Sequence, residues 1–310
     1  MSVSAPAAAI PVEDAFPLVP RHRLHGLELG PFRSVRRGPG SDPAGSRPYE
    51  PGDDVRTIDW GASARLSAAR GADEFVVRER FAEQAPRVVA FADRRPGMAL
   101  YPEPWLPKPA VLAVCERLIG ESALRARGLV GSLHFGDGVP AYRPPSGNPR
   151  VWRSRGQPAA FAAPPGSLAD GIDRLAHARA LPAGSFLFVL SDFLDPVPPE
   201  AWLLAVGRGW DVVPVVIQDP TWEASFPADA GGLVLPVADP VTGRHGLVRL
   251  GRADALARRR ANEERLAALL AAFADLGLDP VRLETADEDR VLAAFLEWAA
   301  ARLAPLGRAW

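Results

Sequence analysis

From residue 86 onward the chain alternates short, almost wholly apolar runs with amphipathic stretches, and this rhythm restricts the fold more than any other feature. The runs over 87–92, 129–135, 186–190, 211–217 and 281–284 predict strands. Strands with little polar alternation are buried on both faces, as in a parallel sheet covered by helices. Pro214 lies inside the fourth run and predicts a bulge or an early strand end, because proline has no ladder donor.

The intervening stretches carry helical signals. Val111, Val114, Cys115, Leu118, Ile119 and Ser122 fall on one face at 3.6-residue spacing. Ser167 to Asp170 and Thr285 to Glu288 have capping-box spacing ahead of apolar-periodic segments. Leu266, Leu269, Leu270 and Phe273 form a stripe in a long Arg- and Ala-rich helix. Residues 232–250 interrupt the rhythm with two short extended runs joined at Asp239-Pro240-Val241-Thr242-Gly243, which predicts a β-hairpin insertion.

Upstream the organisation differs. Residues 1–20, rich in Ala and Pro, are expected to be a flexible leader. Residues 21–82 carry closely spaced Gly and Pro turn signals, which predicts a β-rich element with strands over 24–29, 32–36, 55–60 and 75–81. Residues 83–310 form the α/β part.

The β-rich element contains the densest motif in the chain. Arg47, Tyr49, Glu50, Gly52, Asp53, Asp54, Arg56, Asp59, Trp60 and Arg65 crowd around a Pro51-Gly52 type II turn. Interleaved acids and arginines favour an internal ion-pair lattice, with Trp60 as a core anchor between this element and the sheet. Asp53, Asp54 and Asp59 could also form the acid cluster of a metal-dependent hydrolase. No histidine accompanies them and arginines stand nearby, so turn caps and salt bridges are the favoured reading.

Bulk properties exclude several function classes. A formal charge of -1 gives no reason to expect nucleic acid or anionic lipid as a partner. Of 36 basic residues only Lys108 is a lysine, so a cluster of arginines carries little weight by itself. Cys115 is the single cysteine, which rules out an intrachain disulfide and a cysteine metal cage, and its place on an apolar stripe predicts an inert thiol. His22 and His25 are the only histidines at ligand-like spacing, and Gly38-Pro39-Gly40-Ser41 lacks the Lys-Ser/Thr of a phosphate loop. The start of the chain has no secretory pattern and the run 186–190 is too short to span a bilayer, so the expectation is a cytoplasmic protein without membrane insertion.

In open parallel sheets, ligands gather beyond the carboxyl ends of the strands. Two predicted strands end on aspartates, Asp93 and Asp192, which would share a rim with Ser191 and with Ser167 at a helix start. Such oxygens suit a hard cation such as Mg²⁺. Here the chain resembles the von Willebrand factor A domain. With the Tyr-Glu-Pro-Gly-Asp-Asp-Val-Arg-Thr-Ile-Asp-Trp run at 49–60, it looks like the domain of unknown function 58 family. The resemblance covers roughly residues 20 to 300. It implies a doubly wound, mostly parallel sheet in the order 3-2-1-4-5-6, beside the β-rich element. It also implies a partnership with MoxR-type AAA ATPases in maturing a client protein, and similarity to MxaS-type members narrows that client to methanol dehydrogenase.

The A-domain metal motif is an Asp-x-Ser-x-Ser run, a Thr before a later helix, and an Asp after the fourth strand. This chain has Asp93-Arg94-Arg95-Pro96-Gly97, Ser167 and Asp192, so Arg95 and Gly97 replace both serines. Glycine supplies no side-chain ligand, and a guanidinium has no lone pair to offer. The expectation is no cofactor, with Arg94 or Arg95 folded between Asp93 and Asp192 in the metal's place. The protein-binding rim is then Asp93, Arg94, Arg95, Ser167, Ser191 and Asp192 on a non-enzymatic adaptor.

Overall fold

The computed structural model describes residues 15–21, 27–37, 43–50, 55–71, 74–100, 105–136, 139–154, 160–178, 180–239 and 242–306. Residues 1–14, the His22/His25 pair, Gly38 to Gly40, the turn with Gly52, Asp53 and Asp54, and Pro240-Val241 lie outside the described residues.

The centre is a six-stranded sheet. Its strands are β4 (Arg87–Ala92), β5 (Leu129–His134), β6 (Ala141–Ser146), β7 (Phe186–Ser191), β8 (Asp211–Ile217) and β11 (Val281–Leu283). From edge to edge they lie β6-β5-β4-β7-β8-β11. All neighbours are parallel except β5 and β6. The result is an α/β fold around a mixed sheet. β6 had no expectation attached to it, because Pro144 and Pro145 disguise it; prolines are tolerated on an edge strand, where one side needs no donor.

Pro214 does not break β8. It stays in register opposite Val189, and β11 pairs only with Val215 to Ile217, so on that side no donor is required at residue 214.

Helices cover both faces. On one side α2 (Lys108–Arg125) and α7 (Glu288–Leu306) bury Val111, Leu118, Ile119, Val291 and Phe295 against Val88, Phe186 and Phe188. On the other, α4 (Ser167–His177), α5 (Pro199–Gly207) and α6 (Arg252–Asp275) pack Leu168, Ile172, Trp202 and Phe273 over Val89, Phe91 and Leu187. α4 approaches so closely that a Cβ on Gly171 would overlap the Phe91 ring. A short helix, α3 (Pro149–Arg153), places Trp152 on α2. Among the described residues no helix is long and apolar enough to cross a membrane.

Two helix starts differ from expectation. Ser167 is the first helical residue of α4, preceded by Gly166 at φ 78°, so it is not a cap. α7 is capped by Asp287, whose Oδ1 accepts the Arg290 N–H at 3.0 Å, while Thr285 braces Asp287 from outside the helix.

The N-terminal leader is also corrected, in part. Phe16, Leu18 and Val19 are buried in the α2–α7 face of the core. Phe16 stacks on Phe295 at 4.4 Å, and its N–H donates to Ser122 Oγ at 3.0 Å. Arg302 then clasps the segment, donating to the Val19 carbonyl and to both oxygens of Asp211 at 3.0–3.1 Å. Apolar side chains at 16, 18 and 19 outweigh the Pro- and Ala-rich composition around them.

The β-rich element is a three-stranded antiparallel sheet of β1 (Leu27–Arg37), β2 (Pro43–Pro48) and β3 (Val76–Ala85), in the order β1-β3-β2. β1 joins the two short strands expected over 24–29 and 32–36, with a register shift between Leu27 and Phe32. No strand runs from 55 to 60. Val55–Thr57 is a 3-10 turn, and Trp60 opens α1 (Trp60–Arg70), because Asp59 Oδ1 accepts the Ala62 N–H at 3.0 Å and starts a helix. The element extends to Ala85, with only Pro86 between β3 and β4.

Between β8 and α6, β9 (Val234–Ala238) and β10 (His245–Arg249) pair as an antiparallel hairpin.

Candidate functional site

Register assembles the rim. β4 and β7 run level, Ala92 opposite Leu190, and β7 pairs Ser191 with Val216 of β8. Asp93, Asp192, Gln218 and Asp219 therefore leave the sheet side by side at its carboxyl end. The Asp93 N–H still bonds to the Leu190 carbonyl at 2.9 Å, which holds the first aspartate in the sheet plane.

Arg95 folds back onto Asp93. Its Nε lies 3.0 Å from both carboxylate oxygens, Nη2 is 2.6 Å from Oδ2, and its own backbone N–H bonds to Oδ1 at 2.9 Å. Ser191 Oγ donates to Asp93 Oδ2 at 2.6 Å and accepts from Arg95 Nη2 at 3.3 Å. Arg95 Nη2 is 3.9 Å from Asp192 Oδ1, and Nη1 bonds to Asp195 at 2.6 Å. Burial works against the Arg95 charge, but Asp93, Asp192 and Asp195 outweigh it and hold its pKa above the ordinary arginine value.

Arg94 points elsewhere. It is buried against Glu116 at 3.4 Å and lies over the Phe161 ring, 5.0 Å from its centroid. Of the two arginines, Arg95 alone stands between the aspartates. Ser167 is buried at the start of α4 and takes no part in this network.

The rim contains a second cation that the sequence reading passed over. Lys108, the first residue of α2, is fully buried, with its Nζ 2.7 Å from Asp192 Oδ2 and 2.7 Å from Glu223 Oε1. Burial opposes its charge; Asp192 and Glu223 reverse that and raise its pKa. Glu223 is in turn fixed by the Asp219 N–H at 2.9 Å, and Arg265 of α6 donates to its backbone carbonyl. Asn262 of α6 holds the same loop through the Trp222 and Ser225 carbonyls. Gln218 Nε2 donates to the Asp192 carbonyl at 2.6 Å. The available signal was the lone lysine itself. In a chain that uses arginine at 35 of its 36 basic positions (36 less one lysine), an ammonium is kept where a compact three-donor group must fit between two acids.

A cavity of about 590 Å³ opens over this network, lined by Asp93, Arg95, Phe161, Pro164, Asp192 and Asp195 among others. Among the described residues, none that lines it comes from the 47–65 motif. Within that motif, Asp59 is spent on the α1 cap, Arg47 Nη1 donates to the Pro48 carbonyl, and Tyr49 packs edge-on to Phe75. Glu50, Arg56 and Arg65 are exposed. Trp60 is not a core anchor: it is 64% exposed and touches Phe75 edge-on at 6.0 Å. Opening a helix from the capped end turns its side chain outward.

The oxygens at the rim do not fit a hard cation. Both oxygens of Asp93 and one of Asp192 are already engaged by arginine and lysine nitrogens, and Gly97 supplies no side-chain donor. Among the described residues no group of three His, Cys, Asp or Glu side chains could hold a metal ion.

Residues 45–268 match the family described as "Protein of unknown function DUF58". Over 238 residues the chain is 26% identical to the uncharacterized proteins Rv1480 of Mycobacterium tuberculosis (strain ATCC 25618 / H37Rv) and Mb1516 of Mycobacterium bovis, covering 72% of this chain and 68% of each relative. Among solved structures it is similar to the conserved hypothetical protein BatB from Bacteroides thetaiotaomicron, with TM-score 0.39 and 13% identity over 69% of this chain and 99% of that one. An aerotolerance-related membrane protein from Bacteroides fragilis NCTC 9343, carrying multiple mutations to serines, gives TM-score 0.38 and 13% identity over 70% and 99%. Likeness at that level says nothing of what this chain does.

Proposed function

This chain belongs to the DUF58 family, and from that membership and the geometry of its rim we propose a non-enzymatic adaptor that docks other proteins at the strand-end rim. In this reading it works with a MoxR-type AAA ATPase in assembling or maturing another protein complex, with methanol dehydrogenase as the narrower client. The rim is a degenerate A-domain metal site in which Arg95 takes the metal's place and Lys108 braces the second aspartate. One observation carries the reading: the Arg95 guanidinium spans Asp93 and reaches Asp192, so the pocket is a finished, metal-independent surface. The sheet supports the A-domain comparison as well, since its six strands, numbered along the chain, lie in the order 3-2-1-4-5-6. Of the three acids in the hydrolase alternative, Asp59 serves as a helix cap, and Asp53 and Asp54 lie outside the described residues.

Co-purification with the MoxR-type ATPase tests the proposal. Arg95→Ser and Asp192→Ala should each reduce capture, and unchanged capture by both variants removes the rim from consideration.

A further inference from the structure

We propose that the rim cavity is a carboxylate receptor occupied by the protein's own Asp195, and that an acidic side chain of a partner protein displaces Asp195 from Arg95. The inference rests on the docking reading above and specifies the chemistry of what docks.

The network is unevenly exposed. Asp93 and Lys108 side chains are 0% exposed, Glu223 3%, Asp192 5% and Arg95 11%, whereas Asp195 is 55% exposed. Arg95 spends Nε and Nη2 inward, on Asp93 and Ser191, and turns Nη1 outward to Asp195 Oδ2 at 2.6 Å. The inner contacts are desolvated and hydrogen-bonded on several sides, so breaking them would strand buried charge. The outer pair is wet, and such pairs contribute about 1 kcal/mol or less. Asp195 is therefore the replaceable member.

What replaces it follows from charge. With Asp195 swung away, an outward-facing guanidinium N–H remains at the floor of the cavity. A carboxylate restores the same bond, and the exchange is charge-neutral, so the balance among Arg95, Lys108, Asp93, Asp192 and Glu223 does not change. A cationic occupant would meet the guanidinium head-on, and an uncharged amide makes a weaker bond to it. The apolar wall of Phe161, Pro164, Pro165 and Leu194 favours an acidic residue set among apolar neighbours on a folded partner over a free, fully hydrated acid.

The test uses the full chain and a blocked peptide, acetyl-Ala-Pro-Asp-Ala-amide, beside its Asn counterpart, with affinity and the Arg95 side-chain Nε–H resonance followed by NMR. Asp195 lies on the surface, so Asp195→Ala should fold normally. The variant is expected to bind the Asp peptide about fivefold more tightly than wild type, the factor that releasing an exposed ion pair allows. The Asn peptide should show no such gain, and Arg95→Gln added to Asp195→Ala should abolish it. Equal affinity for the two peptides, no gain in Asp195→Ala, or a gain that survives Arg95→Gln in a variant with native circular dichroism would each overturn the inference. If carboxylate exchange fails while Arg95→Ser still loses ATPase capture, the receptor chemistry is wrong and the docking reading stands. If exchange occurs with capture unchanged, the docking reading is wrong and the receptor stands.

Discussion

Lys108 sits in the least hospitable place for an ammonium, fully buried and at the positive end of a helix, and two carboxylates 2.7 Å away keep it charged. Lys108→Met would leave Glu223 facing Asp192 with only the Arg95 contact at 3.9 Å to offset the pair, and urea unfolding should register a loss of about 3–5 kcal/mol. The pH dependence has a definite sign. Its folded pKa lies above the ordinary lysine value of 10.5, so the contribution is complete below that value and is lost as pH rises through the folded one. Wild type should lose urea resistance in that alkaline window more steeply than Lys108→Met; parallel curves would contradict the assignment. Cys115 makes a second test at this scale. Burial, with Glu116 beside it, pushes the thiol far above its usual pKa, so iodoacetamide at pH 8 should label it only as fast as the protein unfolds.

Elements differ in how they are held. The segment at 15–21 is extended, yet it is tied by buried aromatic stacking and by Arg302, so Phe16→Ala should cost about 3–5 kcal/mol in global unfolding despite lying near the chain's start. α1 is started by the Asp59 cap, and Asp59→Ala should remove about 1 kcal/mol, felt in the β-rich element rather than at the rim. Among the described residues the β9–β10 hairpin has no third strand; Leu247 is 75% exposed, and Leu235 and Leu250 pack against a small cluster of Phe226, Ala230 and Ala255. Two strands alone are marginal in water. Hydrogen exchange should therefore find its amides far less protected than those of β4 and β7; equal protection would show that the hairpin is covered in solution.

At the scale of the whole molecule, the rim should behave as a completed surface rather than as a vacant cation site. Calorimetry with Mg²⁺ should show no tight binding that Asp93→Ala removes, and the opposite result would end the adaptor reading. The α/β part of the architecture was legible in the sequence, because strands buried on both faces and helices buried on one leave different apolar periods in the chain. Asp93 and Asp192 could be placed on one rim for the same reason, since each directly follows such a strand. Other features left no local trace. Proline hid the edge strand β6, the strand expected over 55–60 gave way to a 3-10 turn and a capped helix that turns Trp60 outward, and nothing near residue 108 announces a carboxylate from residue 223. Periodicity records whether a side chain faces the core, and so the sequence by itself determined the layers and the candidate rim. Which cation meets which acid depends on distances between segments far apart in the chain, and only the packed structure, which sets Lys108 between Asp192 and Glu223 and leaves Asp195 as the one exposed carboxylate on Arg95, decides that.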